Sequence, residues 1–228
     1  MKLEGKVVAI TGAYSGLGAA LAHALAKKNC KLVLVGRDKQ KLAEFASKFN
    51  HVKIVVADIR NESDCKNIID FTVEAFGHID IIINNAGVWA AGAAEEITPD
   101  QMKHIFEANV FGTSYCCKYA VMQMKKQKNG LIINVASTAG IDHKTGLIAY
   151  SASKHAIVGF TGSLEEELKG TGVRAVCFCP GGIKTNIYRK YPEVDTKNFM
   201  EPSFVADHLI NQIEAGNPDW LIVLRRPK

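Results

Sequence analysis

The sequence has no apolar run approaching the ~20 residues a helix needs to span a bilayer, so no membrane partner is expected. It also lacks a Cys-x-x-Cys pair, and none of its seven histidines stands at a helical metal-binding spacing, so no metal site is expected. Linker-like and low-complexity stretches are missing too, and the 228 residues are read as one domain. Charge of one sign is only in modest excess: the net +5 is spread along the chain and gives no footprint for nucleic acid. The densest basic cluster, Lys125, Lys126 and Lys128, falls at an expected helix end, where cations complement the dipole. The first strand begins almost at once, leaving no room for a leader, so a cytoplasmic location is expected. Cys30, Cys65, Cys116, Cys117, Cys177 and Cys179 all sit in helix or strand patterns and are read as reduced thiols.

What the sequence does contain is an alternation. Apolar, β-branched runs recur at 6–10, 31–35, 52–56, 79–83, 131–135, 173–178 and 220–224. Between them lie stretches of helical periodicity at 17–28, 39–49, 62–76, 99–126, 149–169 and 202–215. Pro99 and Pro202 suit a first helical turn, and Asp38 and Asn61 suit N-caps. Strand and helix in turn imply right-handed crossovers and a mostly parallel seven-stranded sheet with helices on both faces, an α/β Rossmann-like doubly wound fold. In such sheets ligands bind beyond the carboxyl ends of the strands.

Two motifs stand at those ends. Thr11-Gly12-Ala13-Tyr14-Ser15-Gly16-Leu17-Gly18 follows the first strand and opens a helix, the context in which a Gly-rich turn takes a pyrophosphate on helix N–H groups. Tyr150 and Lys154 are four residues apart, so a helix places an ammonium beside a phenol. A Lys⁺ there favours the phenolate and is expected to lower the Tyr pKa toward neutral. Ser137 stands thirteen residues before Tyr150, at the end of a β-rich run.

With these residues the chain resembles the short-chain dehydrogenase/reductase family, in its compact single-domain branch. The family's glycine motif matches residues 11–18, its acidic residue after the third strand matches Asp58, and its Asn-Asn-Ala-Gly matches Asn84 to Gly87. Its helix Asn matches Asn109, its Ser matches Ser137, its Tyr-x-x-x-Lys matches Tyr150 and Lys154, and its Pro-Gly matches Pro180-Gly181, followed by Thr185. The resemblance implies that Ser137 and Tyr150 hydrogen-bond a substrate carbonyl, with Tyr150 as general acid or base. It implies that Lys154 binds the nicotinamide ribose and tunes Tyr150, and that Asn109 supports a water linked to Lys154. Gly12, Tyr14, Ser15, Gly16, Leu17 and Gly18 would cradle the cofactor phosphates. Asp58 and Ile59 would meet the adenine, Asn85, Ala86 and Gly87 would let the chain pass close to the cofactor, and Pro180, Gly181, Ile183 and Thr185 would hold the nicotinamide.

Cofactor choice turns on the end of the second strand, where NAD-selecting folds place a carboxylate for the ribose hydroxyls. Here Gly36 is followed by Arg37, which can pair with a 2′-phosphate, so NADP(H) is the preferred cofactor and NAD(H) a possible one. Asp38 adjoins Arg37 and is able to neutralise it, and Tyr14 replaces the Ser more usual in that turn.

The resemblance makes the expected reaction hydride exchange between NADP(H) and a small-molecule carbonyl or secondary alcohol. A 3-oxoacyl carrier-protein reductase and a non-catalytic NADP(H)-sensing protein are the alternatives. Substrate contacts are expected from Trp89, Ala90, Thr138, Ile141, His143 and the segment 186–201, whose Tyr188, Tyr191 and Phe199 suit a lid; the same segment suits a plain surface connection. Small residues on the two long helices, among them Ala108, Gly112, Ala152, Ala156 and Gly159, accompany more apolar surface than the sheet needs. The family pairs these helices across a two-fold axis, so a homodimer or homotetramer is expected.

Overall fold

The structure, a computed structural model, describes residues 1–189, 191–216 and 218–226. Lys190, inside the expected lid, lies outside the described residues, as do Asn217, Pro227 and Lys228. Seven strands form one sheet: β1 (Val7–Thr11), β2 (Lys31–Gly36), β3 (Val52–Val56), β4 (Ile81–Asn84), β5 (Gly130–Val135), β6 (Val173–Pro180) and β7 (Leu221–Leu224). Their order is β3-β2-β1-β4-β5-β6-β7, and every pairing is parallel, which sharpens the expected mostly parallel sheet. Among the described residues the α-helices are α1 (Gly16–Lys27), α2 (Lys39–Ala46), α3 (Glu62–Phe76), α4 (Pro99–Phe106), α5 (Gly112–Gln127), α6 (Ile148–Leu168) and α7 (Pro202–Ala215).

Because parallel strands are covered on both faces, residues alternate between two cores rather than between core and water. Val8, Ile10, Leu32 and Leu34 pack toward α1 and α7, while Ala9, Val33, Val35 and Ile82 pack toward α3 and α5. The chain winds outward from β1 to β3, then returns to place β4 on the other side of β1. That reversal makes a crevice at the carboxyl ends of β1 and β4, where doubly wound folds bind ligands. Among the described residues no helix is long and apolar enough to cross a membrane.

The long fourth helix expected at 99–126 is not continuous. A π-helical turn, Glu107–Phe111, separates α4 from α5 and contains Asn109. Such a turn inserts an extra residue into the i→i−4 ladder. Immediately after it Gly112 lets α5 close on β3's exit: a side chain there would begin 2.8 Å from Ile59 Cδ1 and 2.9 Å from its carbonyl oxygen. The helix expected at 39–49 ends early, at Ala46, with Phe49 left to pack against His23 and Phe45. β6 runs two residues beyond expectation, to Pro180, and all six cysteines are free and buried.

Candidate active site

Two turns from distant parts of the chain are fastened together at the crevice. Thr11 Oγ1 accepts hydrogen bonds from the backbone N–H of Asn85 and of Ala86, both at 3.0 Å. In return the Asn85 amide donates to Thr11 O at 3.0 Å and to Gly12 O at 3.3 Å. Gly16 holds φ +52°, in the left-handed region, where a side chain would also meet the Thr185 methyl at 3.0 Å. A Cβ at Gly18 would sit 2.2 Å from Gly12 O, so α1 starts in contact with the turn itself. Ser15, the N-cap residue of α1, directs no side-chain hydrogen bond into the helix, which leaves its first N–H groups facing the crevice.

A cavity of ≈1100 Å³ runs from this turn across the sheet ends; Gly12, Gly16, Ser137, Tyr150, Lys154 and Thr185 all line it. Asn85, Ala86, Gly87, Pro180, Gly181 and Ile183 line it as well. Tyr14, Arg37, Asp58 and Ile59 are not among its lining residues and stand by the ends of β1, β2 and β3 instead.

Local packing explains how Ser137 reaches Tyr150. Ser137 caps a short 3-10 turn, Thr138–Gly140, by accepting the Ala139 N–H at 3.1 Å. Gly140 lets that turn lie on α6, since a Cβ would fall 2.6 Å from Lys154 O. The Ser137 side chain is thereby brought to the Tyr150 phenol, close enough to lower its pKa. Lys154 Nζ lies 5.7 Å from the centre of the Tyr150 ring and donates to Val135 O at 2.9 Å.

The charges differ from the sequence-based expectation. The Tyr150 pKa is raised rather than lowered: desolvation is the main cause, Tyr188 adds to it, and Ser137 only partly offsets it. Lys154 is itself pushed down to about 8 by burial, with the neighbouring Cys177 and Cys179 opposing the shift. A desolvated ammonium already bonded to a carbonyl oxygen does not overcome the cost of making a phenolate in an aromatic pocket.

Asn109 acts as a fastening between three elements. Its Oδ1 accepts from Val88 N at 2.8 Å, and its Nδ2 donates to Val88 O at 2.9 Å and to Ser153 Oγ at 3.0 Å. Ser153 Oγ in turn donates to Tyr150 O at 2.7 Å, so Asn109 ties the segment after β4 to the turn of α6 that carries the Tyr. Both N–H groups of its amide donate to protein acceptors.

Near the expected adenine end, the Asp58 carboxylate is gripped by Arg60, whose Nε lies 3.0 Å from both of its oxygens. That hydrogen bond, with Arg37 adding a smaller charge effect, holds the Asp58 pKa below the ordinary value. Arg37 Nη1 is 3.9 Å from Asp58 Oδ2, and Ile59 is buried against Gly112. Asp38 does not neutralise Arg37: it caps α2, accepting Lys41 N at 3.1 Å with Lys41 Nζ also at 3.1 Å.

The end of the cavity beyond Tyr150 is walled by rings. Trp89 packs against Tyr191 at 4.6 Å and Tyr188 at 5.1 Å between centroids, and Tyr188 packs against Phe199 at 5.4 Å. The base of the 186–201 segment is pinned where Lys184 N donates to Met200 O and Met200 N to Gly182 O, both at 2.9 Å. Trp89, Thr138, Tyr188 and Phe199 line the cavity, whereas Ala90, Ile141 and His143 do not. Ile141 packs in the small core cluster beneath α6, and His143 stacks on His155 at 5.8 Å.

Two buried contributors escape sequence reasoning. Thr11 was legible as part of a motif but not as its fastener. Asn134, inside β5, accepts from Asn84 Nδ2 at 2.8 Å and donates to Thr161 Oγ1 at 3.0 Å, joining two strands to α6 beneath the site. A polar residue in the middle of an apolar strand was the available signal.

Comparison with known proteins agrees with this geometry. An oxidoreductase of Staphylococcus aureus (strain USA300), uncharacterised, is 34% identical over 210 residues, covering 91% of this chain and 90% of the relative. A 3-ketoacyl-(acyl-carrier-protein) reductase from Brucella melitensis, solved with NADH, superposes with a TM-score of 0.90 at 28% identity, covering 98% of this chain and 97% of that one. ElxO, solved with NADP bound, gives 0.88 at 25% identity, covering 97% of each chain. The family model described as short chain dehydrogenase matches residues 6–195, a span that takes in both fastened turns, Asn109, and the Ser137, Tyr150 and Lys154 group. The chain belongs to the short chain dehydrogenase family.

Proposed function

We propose that this oxidoreductase exchanges hydride between NADP(H) and a small-molecule carbonyl or secondary alcohol, with Tyr150 as general acid or base. The observation that carries the reading is the shared cavity: Tyr150, Ser137 and Lys154 line the same space as the glycine turn. The glycine cradle fits a dinucleotide, because a Cβ at Gly12 or Gly16 would begin 3.0 Å from Ala86 or Thr185 and fill the space the backbone leaves open.

Gly12, Ser15, Gly16 and Leu17 would hold the pyrophosphate, Lys154 the nicotinamide ribose, and Pro180, Ile183 and Thr185 the carboxamide. The bound nicotinamide supplies or accepts the hydride. In the reductive direction a partly buried phenol that keeps its proton at neutral pH is the form needed to donate to the carbonyl oxygen, and Ser137 would donate beside it. The phenolate left behind is balanced by the Lys154 ammonium, and the same groups run in reverse take the alcohol proton. Asn109 positions the turn carrying Tyr150.

The preference for NADP(H) rests on Arg37, which has no carboxylate at position 36 beside it and only a distant partner in Asp58. The 186–201 segment is proposed as a substrate lid. A cytoplasmic homodimer or homotetramer belongs to the same proposal; six reduced thiols suit a reducing compartment. The test is a panel of ketones, aldehydes, secondary alcohols and 3-oxoacyl thioesters assayed with each cofactor by absorbance of the reduced nicotinamide. Turnover with NADPH and a free carbonyl is expected. Tight NADPH binding with no turnover of any of them would favour the sensing alternative.

A further inference from the structure

The ends of β1 and β2 meet where Tyr14 crosses Gly36. A side chain on Gly36 would begin 2.3 Å from Tyr14 Cε1 and 2.6 Å from Cδ1, with Leu42 Cδ1 at 3.7 Å. Separations under 3 Å are not tolerated between carbon atoms, so one of the two must move. The turn that carries Tyr14 is anchored to the same strand end, since Ala13 N donates to Val35 O at 3.1 Å. Its ring packs on the core cluster that holds Leu42 and Phe45, so swinging it aside gives up those contacts. Position 36 therefore admits only glycine while Tyr14 is in place, for a steric reason and not a backbone one, because Gly36 has no left-handed φ. It is also the position from which a carboxylate accepts the hydroxyls of an unphosphorylated ribose. The guanidinium next to it, Arg37, is 58% exposed, and Asp58, its partner at 3.9 Å, is already held by Arg60.

We propose that Tyr14 is a specificity-determining residue for the cofactor: its ring excludes every side chain from position 36, so the preference for a 2′-phosphorylated dinucleotide is set by Tyr14 and Gly36 as a pair and cannot be reversed at position 36 alone. This rests on the NADP(H) reading above, and the experiment separates the two.

The steric claim is measured without cofactor. Gly36→Ala, otherwise a mild change in an extended strand, should lower Tm by on the order of 5 °C in the presence of Tyr14 and by much less in a Tyr14→Ser background. Equal cost in both backgrounds overturns the proposal. The selectivity claim is measured as Kd for NADPH and NADH by titration of cofactor fluorescence. Gly36→Asp should weaken both without favouring NADH, whereas Tyr14→Ser with Gly36→Asp should bind NADH more tightly than NADPH, a swing of at least about tenfold from wild type. A Gly36→Asp protein that prefers NADH with an unchanged Tm, or a double variant that still prefers NADPH, overturns it. A wild-type protein that binds NADH as tightly as NADPH defeats the cofactor reading itself, and the cofactor-free melting series still decides whether Tyr14 excludes a side chain at 36.

Discussion

Trp89 meets Tyr188 nearly edge to face, 5.1 Å between centroids, and its indole stands 6.3 Å from the ring of Tyr150. The rings that wall this part of the cavity are thus supplied partly by the segment after β4 and partly by the 186–201 segment. Tyr188→Ala and Phe199→Ala should raise KM for bulky carbonyls more than for small ones and leave kcat less affected, because the lost contacts are to the substrate body. Equal effects on acetone-sized and naphthyl-sized substrates would remove these rings from the binding wall. If the segment is a lid, its amide exchange should slow when NADPH and substrate are added; strong protection already present without them would identify a fixed wall.

Replacing the phenol by Tyr150→Phe should reduce turnover by at least ~10²-fold, as expected for loss of a general acid, while Kd for NADPH changes little. Lys154→Ala should damage both turnover and NADPH affinity. Near-full reductase activity in Tyr150→Phe would take the proton-donor role away from Tyr150.

Burial holds Lys154 at a pKa of about 8 against an ordinary 10.5, so the folded protein gives up this proton before the unfolded chain does. Between those values the unfolded state binds more protons, and stability from this group rises with pH. Below 8 both states carry the charge, and its full burial cost is present. Relative to Lys154→Met, ligand-free wild type should therefore gain on the order of 2–3 kcal/mol between pH 7 and 10 in urea unfolding. A difference between the two proteins that does not vary with pH would show that the ammonium is not desolvated.

Arg37→Ala should narrow the gap between NADPH and NADH affinity by roughly tenfold, mostly by weakening NADPH, as loss of one charge-assisted contact predicts. The effect should shrink as salt is raised, since Arg37 is largely exposed. An Arg37→Ala protein with an unchanged affinity ratio would place the 2′-phosphate contact elsewhere.

Phe111, Met122 and Ile148 are 46%, 53% and 44% exposed on the long-helix side of the sheet, more apolar surface than a lone chain usually leaves there. Light scattering at micromolar concentration should report a dimer or tetramer, and Met122→Glu with Phe111→Glu should shift it toward monomer. A wild-type monomer would be decisive against assembly through these helices.

The order of strands and helices was readable because burial on both faces leaves uninterrupted β-branched runs, as in Val7–Thr11 and Ile81–Asn84. The crevice residues were readable because glycine turns and the Tyr150 to Lys154 spacing carry local geometry. The π-turn at Asn109 was not, since an apolar pattern marks a helix over several turns without locating one extra residue in its hydrogen-bond ladder. The direction of the Tyr150 shift was misread for a related reason: spacing places Lys154 nearby but says nothing of how deeply Trp89 and Tyr188 bury the phenol. Likewise Ala90, Ile141 and His143 sit at the right strand ends in sequence, and only packing decides that they turn away from the cavity.

The bonds from Asn85 and Ala86 to Thr11 close a loop of about seventy residues, 74 and 75 apart in sequence. A contact of that span forms only after its closure entropy has been met by other contacts, chiefly the docking of β4 beside β1. During synthesis the glycine turn leaves the ribosome long before its partner does, so the nascent N-terminal half carries the complete motif without its shape. Nucleotide affinity should then await the docking of β4, and a chain ending after β3 should keep every glycine of the motif and still fail to bind a nucleotide.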